Sequence, residues 1–453
     1  MDNLEIGVTG IVVALVMIAI RVPIGVSLGL VSIGGIAAMT NYRVALGMVS
    51  ATPFDFVGNW SLTAAPMFLL MGYICTATRL TDGLFNALRM FLVRLPGGLA
   101  ISSVGACALF AAASGSSVAT AAAMSRIAVP QMLQHRYDKG LATGVVAASG
   151  TLGSLIPPSV LMVLYGVYAE VSVGQLFMAG VIPGIVSAIL YAVMIAVRVR
   201  FRPELAGRVS ARDAEAHPEL AGYVDERFTW AEKLEALKEV WPLPVLILAV
   251  LGGIFGGVFS PTEAGSVGAF CAFLVALSRG RVNRQTMREA LVQTASSTAS
   301  IFLILIGSVF FTRFLALSGV PEAFSELILG VSDATWWVLL AVAVIYIVLG
   351  MFVDPIGLLL LTLPLILPLV GADGAGFDLI WFGIIVIKLL EIGLVTPPIG
   401  LNVYIIKGAL GNLITLAEAF RGIWWFVAMD LVALVLLIAV PALSLWLPGL
   451  MYQ

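Results

Sequence analysis

Two Pro-Pro pairs stand out as places where this chain could bind a small ligand inside a helical protein. Gly150-Thr-Leu-Gly-Ser-Leu-Ile-Pro-Pro158 in the first half is similar to Leu390-Glu-Ile-Gly-Leu-Val-Thr-Pro-Pro398 in the second. Because proline lacks an N–H and disfavours helical geometry at the residue before it, a helix must unwind at both places. Unwound backbone offers unpaired N–H and C=O groups to a ligand.

A second kind of break lies 43 residues before each Pro-Pro pair, at Ser114-Gly-Ser-Ser117 and at Asp354-Pro355. Each interrupts an apolar segment, 97–132 or 335–370, that is too long for one membrane span. We therefore predict two re-entrant helical hairpins whose tips lie near the middle of the bilayer and face a cavity. Their hydroxyls and helix C-terminal carbonyls suit Na⁺, whereas helix N-termini attract anions.

Both tips also have a purely structural interpretation. The first could be a tight turn between helices packed through small residues. Asp354 could serve only as the N-cap of a helix that begins at Pro355. A carboxylate near the bilayer centre is nevertheless expensive, which favours a functional role as well.

The composition predicts that these breaks belong to an all-α polytopic membrane protein. Of 453 residues, 60% are hydrophobic and 11% are charged, whereas soluble domains carry about 25% charged residues. Apolar stretches long enough to cross a bilayer recur along the chain. The net charge of −2 gives no reason to expect a nucleic-acid partner. Three scattered cysteines and two histidines in charged stretches argue against a metal centre, a disulfide framework or histidine-dependent catalysis.

A polar stretch at 200–238 divides the chain into residues 1–199 and 239–453. We predict that it is a cytoplasmic linker between two repeats. Three pairs of matching positions support the repeat, with separations of 238, 235 and 240 residues: Pro23 with Pro261, Gly72 with Gly307, and Pro157 with Pro397. Similar motifs at a nearly constant separation are typical of internal repeats.

The distribution of charge predicts that the two repeats are inverted. Basic residues flank the first hairpin, which should therefore open to the cytoplasm: Arg94, Arg126, Arg136 and Lys139. Acidic residues flank the second, which should open to the periplasm: Glu322, Glu326, Asp333, Asp373 and Asp378. The same rule places both termini in the periplasm of a bacterial inner-membrane protein.

Three further features outside the breaks carry predictions. Lys388 and Glu391 are three residues apart, so we expect them to pair on one helix face, with substrate binding or ion coupling as the alternative. Glu263 is expected to cap a helix rather than to bind substrate. Residues 281–294 are predicted to form a short amphipathic helix at the cytoplasmic surface.

With these residues in place, the chain resembles the large permease subunit of tripartite ATP-independent periplasmic (TRAP) transporters. The motifs run in order through nearly the whole chain: Ala65-Pro-Met-Phe-Leu-Leu-Met-Gly72, Ser114-Gly-Ser-Ser-Val-Ala-Thr120, Gly150-Thr-Leu-Gly-Ser-Leu-Ile-Pro-Pro-Ser159, Ser260-Pro-Thr-Glu-Ala264, Asp354-Pro355 with Leu361-Thr-Leu-Pro364, and Glu391-Ile-Gly-Leu-Val-Thr-Pro-Pro-Ile-Gly-Leu-Asn402. Lys388 and the length of the linker depart from the family pattern. The resemblance therefore does not specify a substrate.

The resemblance implies an elevator-type fold of the ion-transporter superfamily that imports a small organic acid with sodium. It implies a small four-helix membrane subunit on a separate chain, a periplasmic substrate-binding protein and contact with membrane lipids. A C4-dicarboxylate, a sugar acid or a sialic-acid-like compound would be the substrate. Its binding residues would lie between the tips: Ser116, Ser117, Thr151, Pro158, Asp354, Pro398 and Asn402.

The resemblance also implies two sodium sites, one in each half. The first would use Ser114, Gly115, Ser116, Gly150, Gly153 and Pro157. The second would use Gly350, Asp354, Gly393, Thr396 and Pro397. Lys388 and Glu391 would be candidates for ion coupling.

Three alternatives compete with sodium-coupled import. A proton-coupled carrier of the same fold would use Asp354 or Glu391 as its proton site. A channel is disfavoured because the polar groups cluster at the breaks rather than forming a continuous lining. An intramembrane serine protease using Ser116 is disfavoured because no histidine or lysine is placed to activate that hydroxyl.

Overall fold

The computed structural model describes residues 2–81, 83–207, 228–332, 334–371 and 374–451, apart from the side chains of residues 51, 52 and 55. The helices of the first half are α1 (Asn3–Ala19), α2 (Ile24–Met39), α3 (Tyr42–Val57), α4 (Ala64–Ala77), α5 (Leu84–Leu92), α6 (Gly98–Ser114), α7 (Ser117–Gln134), α8 (Lys139–Gly150), α9 (Leu152–Leu155), α10 (Val160–Tyr168) and α11 (Val173–Phe201). Those of the second half are α12 (Trp230–Val240), α13 (Pro242–Phe255), α14 (Pro261–Ser278), α15 (Arg284–Ser318), α16 (Val320–Leu329), α17 (Thr335–Gly350), α18 (Pro355–Val370), α19 (Leu379–Val395), α20 (Leu401–Leu410), α21 (Leu416–Ala439) and α22 (Ala442–Leu445). Most of the predicted linker, at 208–227, lies outside the described residues, as do Asp333 and Asp373.

Local side chains determine where several helices begin. Ser260 precedes α14, and its hydroxyl accepts from the Glu263 N–H at 3.3 Å, while the Glu263 carboxylate accepts from the Ser260 N–H at 2.8 Å. This reciprocal arrangement is a capping box, and Pro261 occupies the first helical position, where no N–H is needed. The predicted capping role of Glu263 is confirmed. Thr415 and Glu418 form the same arrangement before α21.

Several helices have the length and composition of membrane spans. Within the described residues, five segments qualify on their own, and two bent helix pairs would raise the number to seven. One bent pair joins α8 and α9 to α10 with a 41° bend, at the first Pro-Pro break. Three of the four helices of the predicted hairpins, α6, α17 and α18, are apolar but shorter. The protein is therefore a helical, multi-pass membrane protein.

The order of helices in the second half follows that in the first. Helices α13 and α14 correspond to α1 and α2, and α16, α17 and α18 correspond to α5, α6 and α7. Farther along, α19 corresponds to α8 with α9, and α20 and α21 correspond to α10 and α11. This succession is consistent with the predicted duplication, which stays a prediction.

One predicted element is wrong. Residues 281–294 do not form a separate surface helix, because α15 runs without a break from Arg284 to Ser318. The Asn283 side chain caps its start by accepting from the Thr286 N–H at 2.8 Å. No proline or glycine lies between Arg284 and Ile306 to end the helix, so the amphipathic segment continues into the apolar one. In the first half, α3 and α4 are separated by a short 3₁₀ turn at the corresponding place.

The two halves pack into each other through glycines. Helix α15 lies on α2 and α4, and α21 lies on α8. A Cβ atom on Gly307 would be 2.2 Å from the Gly25 carbonyl oxygen, and one on Gly422 would be 1.8 Å from the Gly140 carbonyl oxygen. Such contacts require glycine, since any side chain would separate the helix backbones. The main hydrophobic cluster accordingly contains side chains from both halves.

Candidate functional site

The first hairpin tip is a compact turn closed by its own hydroxyl groups. Gly115 takes a left-handed conformation with φ 61°, and Ser116 caps α7 by accepting from the Ala119 N–H at 3.4 Å. The Ser114 and Thr120 hydroxyl oxygens are 2.9 Å apart. Thr120 in turn donates to the Ser116 carbonyl oxygen at 2.8 Å. The predicted break at Ser114–Ser117 is confirmed.

The first Pro-Pro break lies directly against this tip. Helices α9 and α10 are separated by residues 156–159, which include a cis Pro157-Pro158 bond. A Cβ atom on Gly153 would be 2.8 Å from the Ser116 carbonyl oxygen. The Gly115 carbonyl oxygen accepts from the Val160 N–H at 3.4 Å. Tip and break thus form one unit in which backbone groups of both are close together.

The second tip repeats this arrangement with a carboxylate. The Asp354 side chain caps α18 by accepting from the Gly357 N–H at 3.1 Å, and Pro355 follows at the first helical position. Helix α17 ends at Gly350, whose backbone is in close contact with Gly393 on α19. A Cβ atom on Gly393 would be only 2.7 Å from the Gly350 Cα atom. The capping role of Asp354 is confirmed.

The second Pro-Pro break follows the end of α19. Thr396 donates to the Ile392 carbonyl oxygen at 2.6 Å, and a cis Pro397-Pro398 bond follows. Gly400, with φ 56°, then allows α20 to begin in a new direction. Both halves therefore pair one hairpin tip with one broken helix, as predicted.

Glu391 connects the second broken helix to the first tip. Ser117 donates to Glu391 Oε1 at 2.7 Å, and the Ser117 hydroxyl oxygen is 2.8 Å from that of Ser154. The Glu391 side chain is 2% exposed, and its Oε2 atom has no hydrogen-bond partner. A buried carboxylate oxygen without a partner is costly, so this atom is available to a ligand.

A cavity of about 370 Å³ lies between the two tips. This volume falls in the range of roughly 300–1,000 Å³ that is common for small-molecule sites. Its polar lining comes from both tips, both broken helices, α4 and α15: Tyr73, Ser116, Ser117, Ser154, Ser296, Ser297, Ser300, Asp354 and Glu391. Across it, the Tyr73 and Ser297 hydroxyl oxygens are 2.7 Å apart.

Sequence reasoning did not identify the wall of this cavity that α4 and α15 supply. Serines are common on membrane helices, and nothing in the sequence separates Ser296, Ser297 and Ser300 from other helical serines. Their placement follows from the continuity of α15, which the sequence prediction divided. Ser154 lies within the first broken motif, but its contact with Ser117 depends on tertiary packing.

The structure places the predicted substrate residues in two groups. Ser116, Ser117 and Asp354 line the cavity. The remaining predicted residues, Thr151, Pro158, Pro398 and Asn402, are not part of that lining. Thr151 donates to the Ala148 carbonyl oxygen at 2.5 Å, and Asn402 Nδ2 donates to the Ala147 carbonyl oxygen at 3.2 Å, while Pro398 is exposed. Substrate contact by these four remains a prediction.

The predicted sodium ligands of each half are close together. Gly150 and Gly153 pack on the hairpin of the first tip, and Gly350 packs on Gly393 in the second half. The described residues contain no cluster of three or more histidine, cysteine or acidic side chains that could hold a metal ion. Sodium binding by these residues stays a prediction.

The predicted pairing of Lys388 with Glu391 is wrong. Lys388 Nζ forms its ion pair with Asp430 on α21 and also donates to the Ser187 hydroxyl oxygen at 3.1 Å. The Tyr191 hydroxyl donates to the same Asp430 oxygen. Lys388 therefore points toward α11 and α21, on a different side of α19 from the cavity. Sequence reasoning missed Asp430 because it lies 42 residues away in an apolar segment.

Comparison with known proteins agrees with this architecture. The sequence model of the family described as "Tripartite ATP-independent periplasmic transporter, DctM component" matches residues 11–443. The chain belongs to this family. A DctM-family chain is a transport protein rather than an enzyme.

Curated relatives of this DctM-family chain cover it almost completely. A C4-dicarboxylate TRAP transporter large permease from Rhodobacter capsulatus is 32% identical, over 98% of this chain and 98% of its own length. A sialic acid TRAP transporter large permease from Vibrio cholerae is 29% identical, over 94% of this chain and 95% of its own. Among solved structures, the YdaH transporter of Alcanivorax borkumensis superposes with a TM-score of 0.56 at 13% identity, over 88% of this chain and 89% of that one. This last likeness concerns the fold alone.

Proposed function

We propose that this chain is the large permease of a sodium-coupled importer for a small organic acid in a bacterial inner membrane. The cavity between the two hairpin tips is the observation that carries the proposal, since it combines hydroxyls, carboxylates and helix ends from both halves. The names of its relatives point to carboxylate-bearing substrates, a C4-dicarboxylate and sialic acid. A separate four-helix membrane subunit and a periplasmic binding protein would complete the system.

The repeated helix order supports an inverted repeat and an elevator mechanism. Described basic residues near the first hairpin, such as Arg126 and Arg136, contrast with Glu322, Glu326 and Asp378 near the second. Hairpins that enter from opposite faces would bring both tips to the bilayer centre. In this mechanism the hairpins and broken helices move together against α2, α4, α14 and α15. The chain termini would then be periplasmic and the linker cytoplasmic.

Each break-and-tip unit is proposed to hold one Na⁺. In the first half, the carbonyl groups of Gly115 and Ser116 lie against the first broken helix and are the backbone oxygens proposed to bind the ion. In the second half, Asp354 and the Gly350–Gly393 contact supply a carboxylate and neighbouring carbonyls. The N-terminus of α7, which lines the cavity, would attract the substrate carboxylate.

Uptake by the reconstituted system tests sodium coupling directly. The chain, a small membrane subunit and a periplasmic binding protein from the same organism would be placed in proteoliposomes, with the compound bound by that binding protein as substrate. We expect uptake with an inward Na⁺ gradient and none when choline replaces Na⁺. Equal uptake in choline would refute sodium coupling, and saturable counterflow would separate a carrier from a channel.

Proton coupling is the second candidate, because the cavity contains Glu391 with an unpartnered carboxylate oxygen. The Asp354→Asn variant distinguishes the two candidates. An asparagine oxygen still caps α18, but it gives up the negative charge. For sodium coupling, we expect the Na⁺ concentration for half-maximal uptake to rise at least about tenfold at fixed pH. An unchanged sodium dependence with a lost pH dependence would favour the proton-coupled carrier.

A further inference from the structure

Helix α12 carries a row of large apolar side chains on its outer surface. Trp230, Leu234 and Leu237 belong to this row, and Trp241 continues it directly after the helix ends. Successive residues of an α-helix are rotated by about 100°, so the four side chains lie within an arc of about 60°. Each of them keeps between 45% and 74% of its surface exposed. We call this row the apolar stripe of α12.

The charged residues of α12 are ordered around the apolar stripe. Lys233 and Lys238 lie on its two sides, each about 70° from its centre, whereas Glu232, Glu235 and Glu239 lie on the opposite side of the helix. A lysine beside an apolar face can extend its ammonium group to lipid phosphates while its methylene groups stay on apolar surface. Acidic residues on the far side then face water. This order fits the apolar and phosphate layers of a membrane surface.

The apolar stripe is continuous with the outer surface of a membrane helix. Val245 and Leu248 follow Trp241 at helical spacing on α13, and both are exposed. Helix α13 has 14 residues and is therefore about 21 Å long, which is shorter than the hydrocarbon core of about 30 Å. Its first turn cannot lie far outside the bilayer. Trp241, and with it the end of α12, is thus placed at the membrane surface.

The bend between the two helices keeps the rest of α12 near that surface. Helix α12 has 11 residues and makes an angle of 51° with α13. From its first to its last residue it therefore rises by only about 10 Å along the direction of α13. The headgroup layer on each side of a bilayer is roughly 5–8 Å thick. Most of the apolar stripe can therefore reach this layer.

Another side of α12 packs on α5, which leads into the first hairpin. Val240 is buried, and its side chain lies 3.0 Å from the position of a Cβ atom on Gly83, directly before α5. Lys233 Nζ is 5.4 Å from the ring centroid of Phe91 on α5 and 5.1 Å from that of Trp230. Helix α12 therefore lies between α5 and whatever covers the apolar stripe.

From these observations we infer that the apolar stripe of α12 is a membrane-binding surface. It inserts among the headgroups and upper acyl chains of the leaflet at which α13 begins, which is the cytoplasmic leaflet in the orientation proposed above. Residues 208–227, which precede α12 closely, are a poor cover for it, because eight of these twenty residues are charged. Helix α12 thereby fixes the level of α5 in the bilayer.

Fluorescence quenching on the full-length chain in lipid nanodiscs tests this position. Cys271 would be replaced by serine because it is partly exposed, whereas Cys75 and Cys107 are buried. A nitrobenzoxadiazole label would be attached to Leu234→Cys or, as the matched control, to Glu235→Cys, since both are exposed neighbours on α12. The readout is quenching by phosphatidylcholine with a nitroxide at the fifth acyl carbon, divided by quenching by iodide in water.

We expect this ratio to be at least about tenfold higher at position 234 than at 235, because surface helices bury their apolar face by about 5–10 Å. Leu237→Cys should match Leu234→Cys and replaces it if that variant does not fold. Leu248→Cys on α13 gives the value for a lipid-facing side chain. Equal ratios at positions 234 and 235 would overturn the inference. Weak quenching by both agents at position 234 would also overturn it, because protein would then cover the stripe.

The same measurement on the chain purified with its accompanying subunits tests the remaining occupant of the stripe. We expect the high ratio at position 234 to persist in that complex. A ratio that falls there to the value at position 235 would assign the stripe to a protein subunit and overturn the inference. Because the assay measures position and not transport, a failure of sodium-driven uptake would be seen separately.

Discussion

The ion pair between Lys388 and Asp430 gives a quantitative test of how the helices around the site are held together. Both side chains are almost completely buried, with 2% and 1% of their surface exposed. Ser187 and Tyr191 on α11 hydrogen-bond to the pair, so it links α11, α19 and α21. Removing one partner leaves the other charge buried without compensation, at a cost of about 3–5 kcal/mol.

Lys388→Met removes the cation and keeps a flexible apolar side chain of similar length. We expect the free energy of unfolding to fall by about 3–5 kcal/mol, because the Asp430 carboxylate remains buried. Asp430→Leu should cost a similar amount. The double variant leaves only the Tyr191 and Ser187 hydroxyls without their partner, so we expect it to lose about 1–3 kcal/mol. The double variant should therefore be more stable than either single variant.

Equilibrium unfolding in mixed micelles, titrated with a denaturing detergent, measures these three values. Lys139 and Glu418 provide a matched control, since they form an ion pair between the same α21 helix and α8 at 3.2 Å, with 48% and 37% exposed. Lys139→Met should cost about 0–1 kcal/mol, because exposed pairs contribute little. The reasoning is refuted if the two Lys→Met variants lose the same stability, or if the double variant loses the sum of both single losses.

Two glycine substitutions test the packing of the tips, each with a control of the same type. Gly115→Ala should abolish sodium-driven uptake, because its Cβ atom would lie 2.8 Å from the Pro158 carbonyl oxygen in the first Pro-Pro break. Gly257 also has a positive φ, but no atom lies within 4 Å of the position of its Cβ atom. Gly257→Ala should therefore lower the free energy of unfolding by only about 1–2 kcal/mol and keep uptake. Gly393→Ala should destabilise the chain and reduce uptake, because its Cβ atom would lie 2.7 Å from the Gly350 Cα atom. Gly408 has open space around it, so Gly408→Ala should stabilise its helix by up to about 1 kcal/mol. Uptake that survives Gly115→Ala or Gly393→Ala undiminished would contradict the close contacts.

The breaks were predictable because their signals are local. A Pro-Pro pair ends a helix wherever it occurs, and Ser-Gly-Ser or Asp-Pro provides a turn and a cap within a few residues. Ser116 and Asp354 cap the helices that begin directly after the two predicted tips. The constant separation between the two halves then related the four breaks to one another. These signals define the tips and broken helices without any knowledge of tertiary contacts.

The partners across the site were not predictable, because their contacts join residues that are far apart in the sequence. Glu391 meets Ser117 over a separation of 274 residues, and Tyr73 meets Ser297 over 224. Helical periodicity alone predicted that Lys388 and Glu391 share one helix face and pair there. In the structure, Lys388 forms its ion pair with Asp430 instead. A buried cation goes to the nearest carboxylate that its surroundings allow, and those surroundings come from other helices.

The contact between Ser117 and Glu391 makes the two break-and-tip units interdependent. Ser117 belongs to the tip of the first half, and Glu391 belongs to the broken helix of the second half. One oxygen of the carboxylate already holds the tip, so a ligand at the other oxygen would add a contact without breaking that one. A site that is positioned before its ligand arrives loses less conformational entropy on binding. The Ser117–Glu391 contact therefore holds the first tip against the second broken helix before any ligand binds, so a substitution at either residue should affect both break-and-tip units.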